Sequence, residues 1–157
     1  VVSAGGRRMS DSESMAISAT PSNTAALRAS LADVRAGAIV TFEGWVRNLN
    51  EGRDVEALEY EVYAPLAVTE GERIITEVQR DIPIIAARAV HRSGALALGD
   101  CAVWVGVVSP HRDEAFRACR RIIDEIKVRL PIWKKENYSD GDSGWVNCER
   151  CAAHAHG

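Results

Sequence analysis

The sequence predicts an α+β domain in which helices pack on a largely antiparallel or mixed sheet. Three observations carry that prediction. Leu58, Tyr60 and Val62 alternate with Glu59 and Glu61, the period-two mark of a strand with one buried and one wet face. Cys101–Val108 is apolar and strongly β-branched, as a buried strand should be. Between Arg112 and Leu130, the residues Phe116, Cys119, Ile123, Ile126 and Leu130 recur at helical spacing, and Asp113-Glu114 suit the positive end of the helix dipole.

The remaining elements follow in chain order. Residues 1–20 are rich in Ser, Gly, Ala and Met without a sustained period and are expected to form a flexible tail. Ser22 or Asn23 can cap a helix that places Leu27, Leu31 and Val34 on one face and ends at Gly37. Ala38–Val46 (AIVTFEGWV) reads as a strand, and a polar turn over Asn48–Asp54 leads into the alternating strand. Pro65 opens a second helix with Ile74, Ile75 and Val78 inward, stopping before Pro83. Ile84–His91 is a strand, and Gly94 and Gly99-Asp100 read as turns. Beyond Pro131 come a short extended piece, a turn over Ser139–Gly144 and a last strand at Trp145-Val146. The folded domain is expected over 21–147, with a C-terminal tail at 148–157, and there is no internal repeat.

Composition narrows the function. With 157 residues, 46% hydrophobic, the chain suits one compact domain with its own core. A net charge of −3 argues against binding to nucleic-acid backbones. No run reaches the roughly 18 apolar residues of a membrane span. Arg7-Arg8 is not followed by an apolar segment of the secretory kind, so a cytoplasmic location is expected. The four cysteines are too unevenly placed for a disulfide framework, and Cys101 and Cys119 read as small buried hydrophobes. Cys148, Cys151, His154 and His156 have zinc-ligand chemistry, but two cysteines make half a site and the histidines follow too closely. No resident metal or cofactor is expected.

Positive charge concentrates in two places. In Lys127–Glu136 (KVRLPIWKKE), Lys127 borders the apolar stripe of the last helix, while Lys134 and Lys135 follow Trp133 on an extended segment. Lys127 either snorkels to water over the core or is a partly desolvated amine suited to proton transfer or anion stabilisation. Alternation sends Lys134 and Lys135 to opposite sides, and spacing does not say which one is solvated. At the other end of the helix, His111-Arg112 follows a strand, where backbone N–H groups, a guanidinium fork and an imidazole suit a phosphate or carboxylate, or simply cap a surface helix. Arg47 ends the first strand. Gly-rich phosphate loops of the GxxxxGK[ST] or GxGxxG type are absent, as is any nucleophile triad pattern.

In order, GAIVTFEGWVRN (Gly37–Asn48), LEYEVYAPLA (Leu58–Ala67), VHRSGALALGD (Val90–Asp100), WVGVVSPHRDEAF (Trp104–Phe116), KVRLPIWKKE and GWV (Gly144–Val146) resemble the large, catalytic subunit of molybdopterin synthase. The resemblance covers roughly Ala36 to Val146. It implies an α/β hammerhead-like domain with an additional antiparallel β-sheet. It also implies a sulfur transferase that converts cyclic pyranopterin monophosphate to molybdopterin. The sulfur comes from the C-terminal Gly-Gly thiocarboxylate of a small ubiquitin-like partner, and two large subunits form the centre of a heterotetramer. By resemblance, Lys127 and Lys134 are the two lysines of the reacting centre, and Arg47, His111 and Arg112 line the pterin and phosphate pocket. Phe42 and Trp133 match apolar motif positions expected to serve packing. The family's basic residue after the final WV is matched only approximately, by Arg150. The alternative from another class is a non-catalytic module that binds a phosphorylated ligand or a partner's C-terminal tail. A third reading, a zinc-stabilised interaction protein, rests on the Cys/His tail.

Overall fold

A computed structural model describes residues 13–146. The strands are β1 (Met15–Ser18), β2 (Ala38–Trp45), β3 (Leu49–Asn50), β4 (Arg53–Val62), β5 (Ala86–Arg92), β6 (Gly94–Ala97), β7 (Cys101–Ser109), β8 (Ile132–Tyr138) and β9 (Ser143–Val146). Among the described residues three helices interleave with them: α1 (Thr24–Ser30), α2 (Ala64–Asp81) and α3 (Arg112–Arg129).

Two sheets form. The first has the order β1-β5-β7-β2, antiparallel except for the parallel β1–β5 pair. The second is antiparallel, in the order β3-β4-β8-β9, with β6 also paired to β4. This is the α+β architecture read from the sequence, with the added antiparallel sheet. Both long helices cover one face of the first sheet. From α2 come Ala67, Ile74, Ile75 and Val78, and from α3 come Ala115, Ala118, Cys119, Ile122, Ile123 and Ile126, packed on Ala87, Ala89, Val103, Val105 and Val107. On the other face, Leu31 and Leu27 shield Trp104 and Val108. Arg129 ties α3 to Glu70 and Glu77 of α2. Among the described residues, no helix is long and apolar enough to cross a membrane.

Local chemistry explains the boundaries. The Asn23 Oδ1 accepts the Ala26 N–H at 3.0 Å and caps α1. Pro65 sits in the first turn of α2, where its missing N–H costs nothing. Ile82 and Leu130, each preceding a proline, are extended, and α2 and α3 stop there.

Four expectations are corrected. The tail expected over 1–20 is shorter, because Met15–Ser18 pairs in parallel with β5 from Ala89 to Arg92. Met15 is buried against Gly71 of α2, where a Cβ would collide with its Cγ and Sδ. The first helix ends well before Gly37, leaving Val34 fully exposed. Gly94 opens a strand as well as a turn, since β6 finds a partner in β4. Phe116 is 61% exposed, the inward positions of that turn belonging to Ala115, Ala118 and Cys119.

Candidate active site

Two residues separate β7 from helix α3, which packs back over β7 and β2, so it runs antiparallel to the strand that feeds it. His111 is its N-cap in extended conformation, without a side-chain capping bond, and both His111 and Arg112 are exposed. Gly37 keeps the turn beneath them tight, because a Cβ there would strike the Pro110 carbonyl oxygen. Lys127 lies in the last turn, roughly 20 Å along the axis from Arg112. It is exposed in the single chain, so the snorkelling reading describes it there.

Pro131 then turns the chain into β8, and strand pairing decides which lysine faces which way. Lys134 stands opposite Tyr60, Glu136 opposite Leu58, and Lys135 opposite Glu59. The two-residue period puts Lys134 and Glu136 on one face. Lys134 Nζ is 3.3 Å from Glu136 Oε1, and the Asn50 amide donates to Glu136 Oε2 at 3.1 Å. Glu136 is only 3% exposed. It is the residue that sequence reasoning passed over, although its place two positions beyond Lys134 on a strand was a usable signal. Lys135 projects to the other face, its Nζ 5.9 Å from the centre of the Trp145 ring. There Glu61, Trp133 and Trp145 line an open groove of about 370 Å³. Phe42 packs against the core as expected, but Trp133 is exposed and does not.

Behind Lys134, Tyr60 meets His91 of β5 edge to face, with ring centroids 4.8 Å apart at 87°. Burial pushes the Tyr60 hydroxyl up to about 12, and the Glu136 charge adds to this. Burial also holds His91 down at about 4; the hydrogen bond to the Arg92 carbonyl opposes that shift and the Lys127 charge reinforces it.

Arg47 follows β2 and is exposed. The β2–β7 register places Ala38 beside Ser109 and Trp45 beside Cys101, so Arg47 sits at the end of the sheet away from His111 and Arg112. That is the end to which α3 returns Lys127. One chain therefore gathers Arg47, Lys127 and Lys134 toward one end and leaves His111 and Arg112 at the other. Arg150, with Cys148, Cys151, His154 and His156, lies outside the described residues. Among the described residues, no group of three or more His, Cys, Asp or Glu side chains could hold a metal ion.

The family model described as MoaE protein matches residues 17–129. A molybdopterin synthase catalytic subunit from Synechococcus elongatus is 44% identical over 123 residues, 74% of this chain and 72% of its own length. Its counterpart from Nostoc sp. is 39% identical over 140 residues, 88% of this chain and 85% of its own. Among solved structures, molybdopterin synthase from Staphylococcus aureus superimposes with a TM-score of 0.82 at 38% identity, over 89% of this chain and 99% of that one. The molybdopterin biosynthesis MoaE protein from Burkholderia ambifaria gives 0.75 at 34% identity, over 91% and 96%. Sequence and fold agree over most of the chain, and this chain belongs to the MoaE protein family.

Proposed function

We propose that this chain is the catalytic subunit of a cytoplasmic molybdopterin synthase, a sulfurtransferase of molybdenum cofactor biosynthesis. Its substrate is cyclic pyranopterin monophosphate, and its sulfur donor is the C-terminal thiocarboxylate of a small ubiquitin-like partner subunit. The observation that carries the reading is the convergence of Lys127 and Lys134, from the end of α3 and the middle of β8, on one end of a domain that is acidic overall.

Substrate and sulfur donor are both anionic, so bringing them together needs cationic groups in a site sheltered from water. Lys134 is held by Glu136, which fixes its ammonium on the sheet face where it can take the thiocarboxylate. Lys127 carries protons as sulfur adds to the pterin side chain and the cyclic phosphate opens. Arg47, His111 and Arg112 grip phosphate. Because one chain keeps His111 and Arg112 far from Lys127, a pocket that uses all of them takes that pair from the second large subunit of a homodimer within the heterotetramer. Arg150 is an approximate further candidate for the same shared pocket.

The test is reconstitution with the thiocarboxylated partner and cyclic pyranopterin monophosphate, followed by assay of the dithiolene product. Product that disappears with Lys127→Ala supports the reading, and product formed at near-normal rate by that variant sinks the assignment. The exposure of Lys127 favours one second reading, a module that grips the same anions without chemistry. A stable complex with the partner but no product from wild-type protein would select it.

A further inference from the structure

Strand β5 crosses the middle of the first sheet and carries a histidine that the mechanism above leaves unused. On the side covered by α2 and α3 it offers Ala87, Ala89 and His91, and the two alanines belong to the core. His91 is 7% exposed, paired with Ile17 of β1 on one side and Val103 of β7 on the other. A buried polar ring needs partners. One is the Arg92 carbonyl oxygen, to which Nδ1–H donates at 2.7 Å. In a neutral ring this leaves Nε2 as an acceptor. The ring also packs edge to face on the Tyr60 ring.

The lysine-bearing strand β8 meets this imidazole through Tyr60. Tyr60 pairs with Lys134 across the β4–β8 ladder. Val103, beside His91, lies at the start of β7, the end over which α3 brings its last turn and Lys127. The titratable and charged groups that bear on the ring are Tyr60 from β4 and Lys127 from α3, while Ile17 of β1 and Val103 of β7 beside it are apolar. Burial keeps the ring uncharged through the working range.

We infer that His91 is a positioning residue of the sulfur-transfer site, its buried ring being the wedge that holds Tyr60, and through the β4–β8 pairing Lys134, in place. The inference deepens the reading above and rests on it. A smaller side chain would let Tyr60 fall into the gap and carry β8 with it. The wedge touches neither substrate nor partner, so its loss falls on turnover more than on binding.

The test uses His91→Ala and His91→Phe in the reconstituted complex. The alanine variant is expected to lose about tenfold or more in kcat, with KM for the thiocarboxylated partner within about twofold of wild type. The phenylalanine variant, which keeps a flat neutral ring against Tyr60, should recover most of that loss. Normal turnover by the alanine variant would overturn the inference, as would a folded phenylalanine variant no faster than alanine. Where the alanine variant does not fold, His91→Val, a milder truncation of the same side chain, replaces it, and normal turnover by the folded valine variant would overturn the inference. Failure of wild-type protein to form product would overturn the sulfur-transfer reading instead, whereas a truncated variant that matches an active wild type overturns this inference alone.

Discussion

Lys134 and Glu136 share one face of β8, with Nζ and Oε1 3.3 Å apart. The lysine side chain keeps 30% exposure and the glutamate 4%, so the pair has one wet end and one dry end. A dry carboxylate is tolerated when charge and hydrogen bonds compensate it, here through Lys134 and the Asn50 amide. Glu136→Gln keeps the shape but removes the counter-charge that anchors Lys134. The expected outcome is about tenfold lower turnover in the reconstituted assay and about 2 kcal/mol lower stability by chemical denaturation. Unchanged values in both would mean that the pair is idle.

Lys127 should behave in the opposite way. It is exposed, with only its methylene stem against the domain, so Lys127→Ala should alter stability by no more than about 1 kcal/mol. Product formation should nonetheless fall to background while the complex with the small subunit survives gel filtration. A large drop in melting temperature would reassign this lysine to structure.

His91 makes the fold sensitive to acid. Its folded value of about 4 lies below the ordinary 6.5, so the unfolded chain binds the extra proton first as pH falls. The stability from keeping this ring neutral is fully present above about 6.5, declines as pH drops through the interval, and is exhausted near 4. The contribution is on the order of 3 kcal/mol. Denaturant melts of wild-type protein between pH 7 and 4 should show this loss, and His91→Phe should flatten that part of the curve.

Gly71 and Met15 give a steric prediction. A methyl at position 71 would meet the Met15 Sδ at 2.7 Å, and because Met15 is buried one of the two must shift. Gly71→Ala should therefore cost about 1–3 kcal/mol. Combining it with Met15→Ala should cost less than the sum of the two single changes, the signature of a direct contact. Additive losses would place Met15 elsewhere.

Much of this was legible in the sequence, for reasons that differ by element. The alternation of Leu58, Tyr60 and Val62 and the apolar run of Cys101–Val108 are strong local patterns, and both strands appear where they were read. Helix α3 is legible too, but a periodicity weighted by the largest apolar residues points to Phe116 and passes over Ala115 and Ala118, which face inward. Small residues carry little weight in a periodicity yet are what close helix-to-sheet packing requires. Strands β1 and β6 each have four residues of weak propensity, and their partners lie elsewhere in the chain, so nothing local announces them. The lysines were found through their motif. That Lys134 rather than Lys135 faces Tyr60 became visible only with the β4–β8 register, and so did the burial of Glu136. The separation of Arg47 from His111 and Arg112 is likewise a property of pairing direction, which a list of basic residues does not contain.

The parallel pairing of Met15–Ser18 with β5 has a consequence for the order in which the molecule assembles. This strand leaves the ribosome about seventy residues before the edge that receives it, and Gly71 must also be in place on α2. Made before its partner, it is seated late. Such a long-range closure contributes little to early collapse and much to the final lock. Amide hydrogens of residues 15–18 should exchange through local opening well before those of β7, because an edge strand can lift away while the centre of the sheet stays paired.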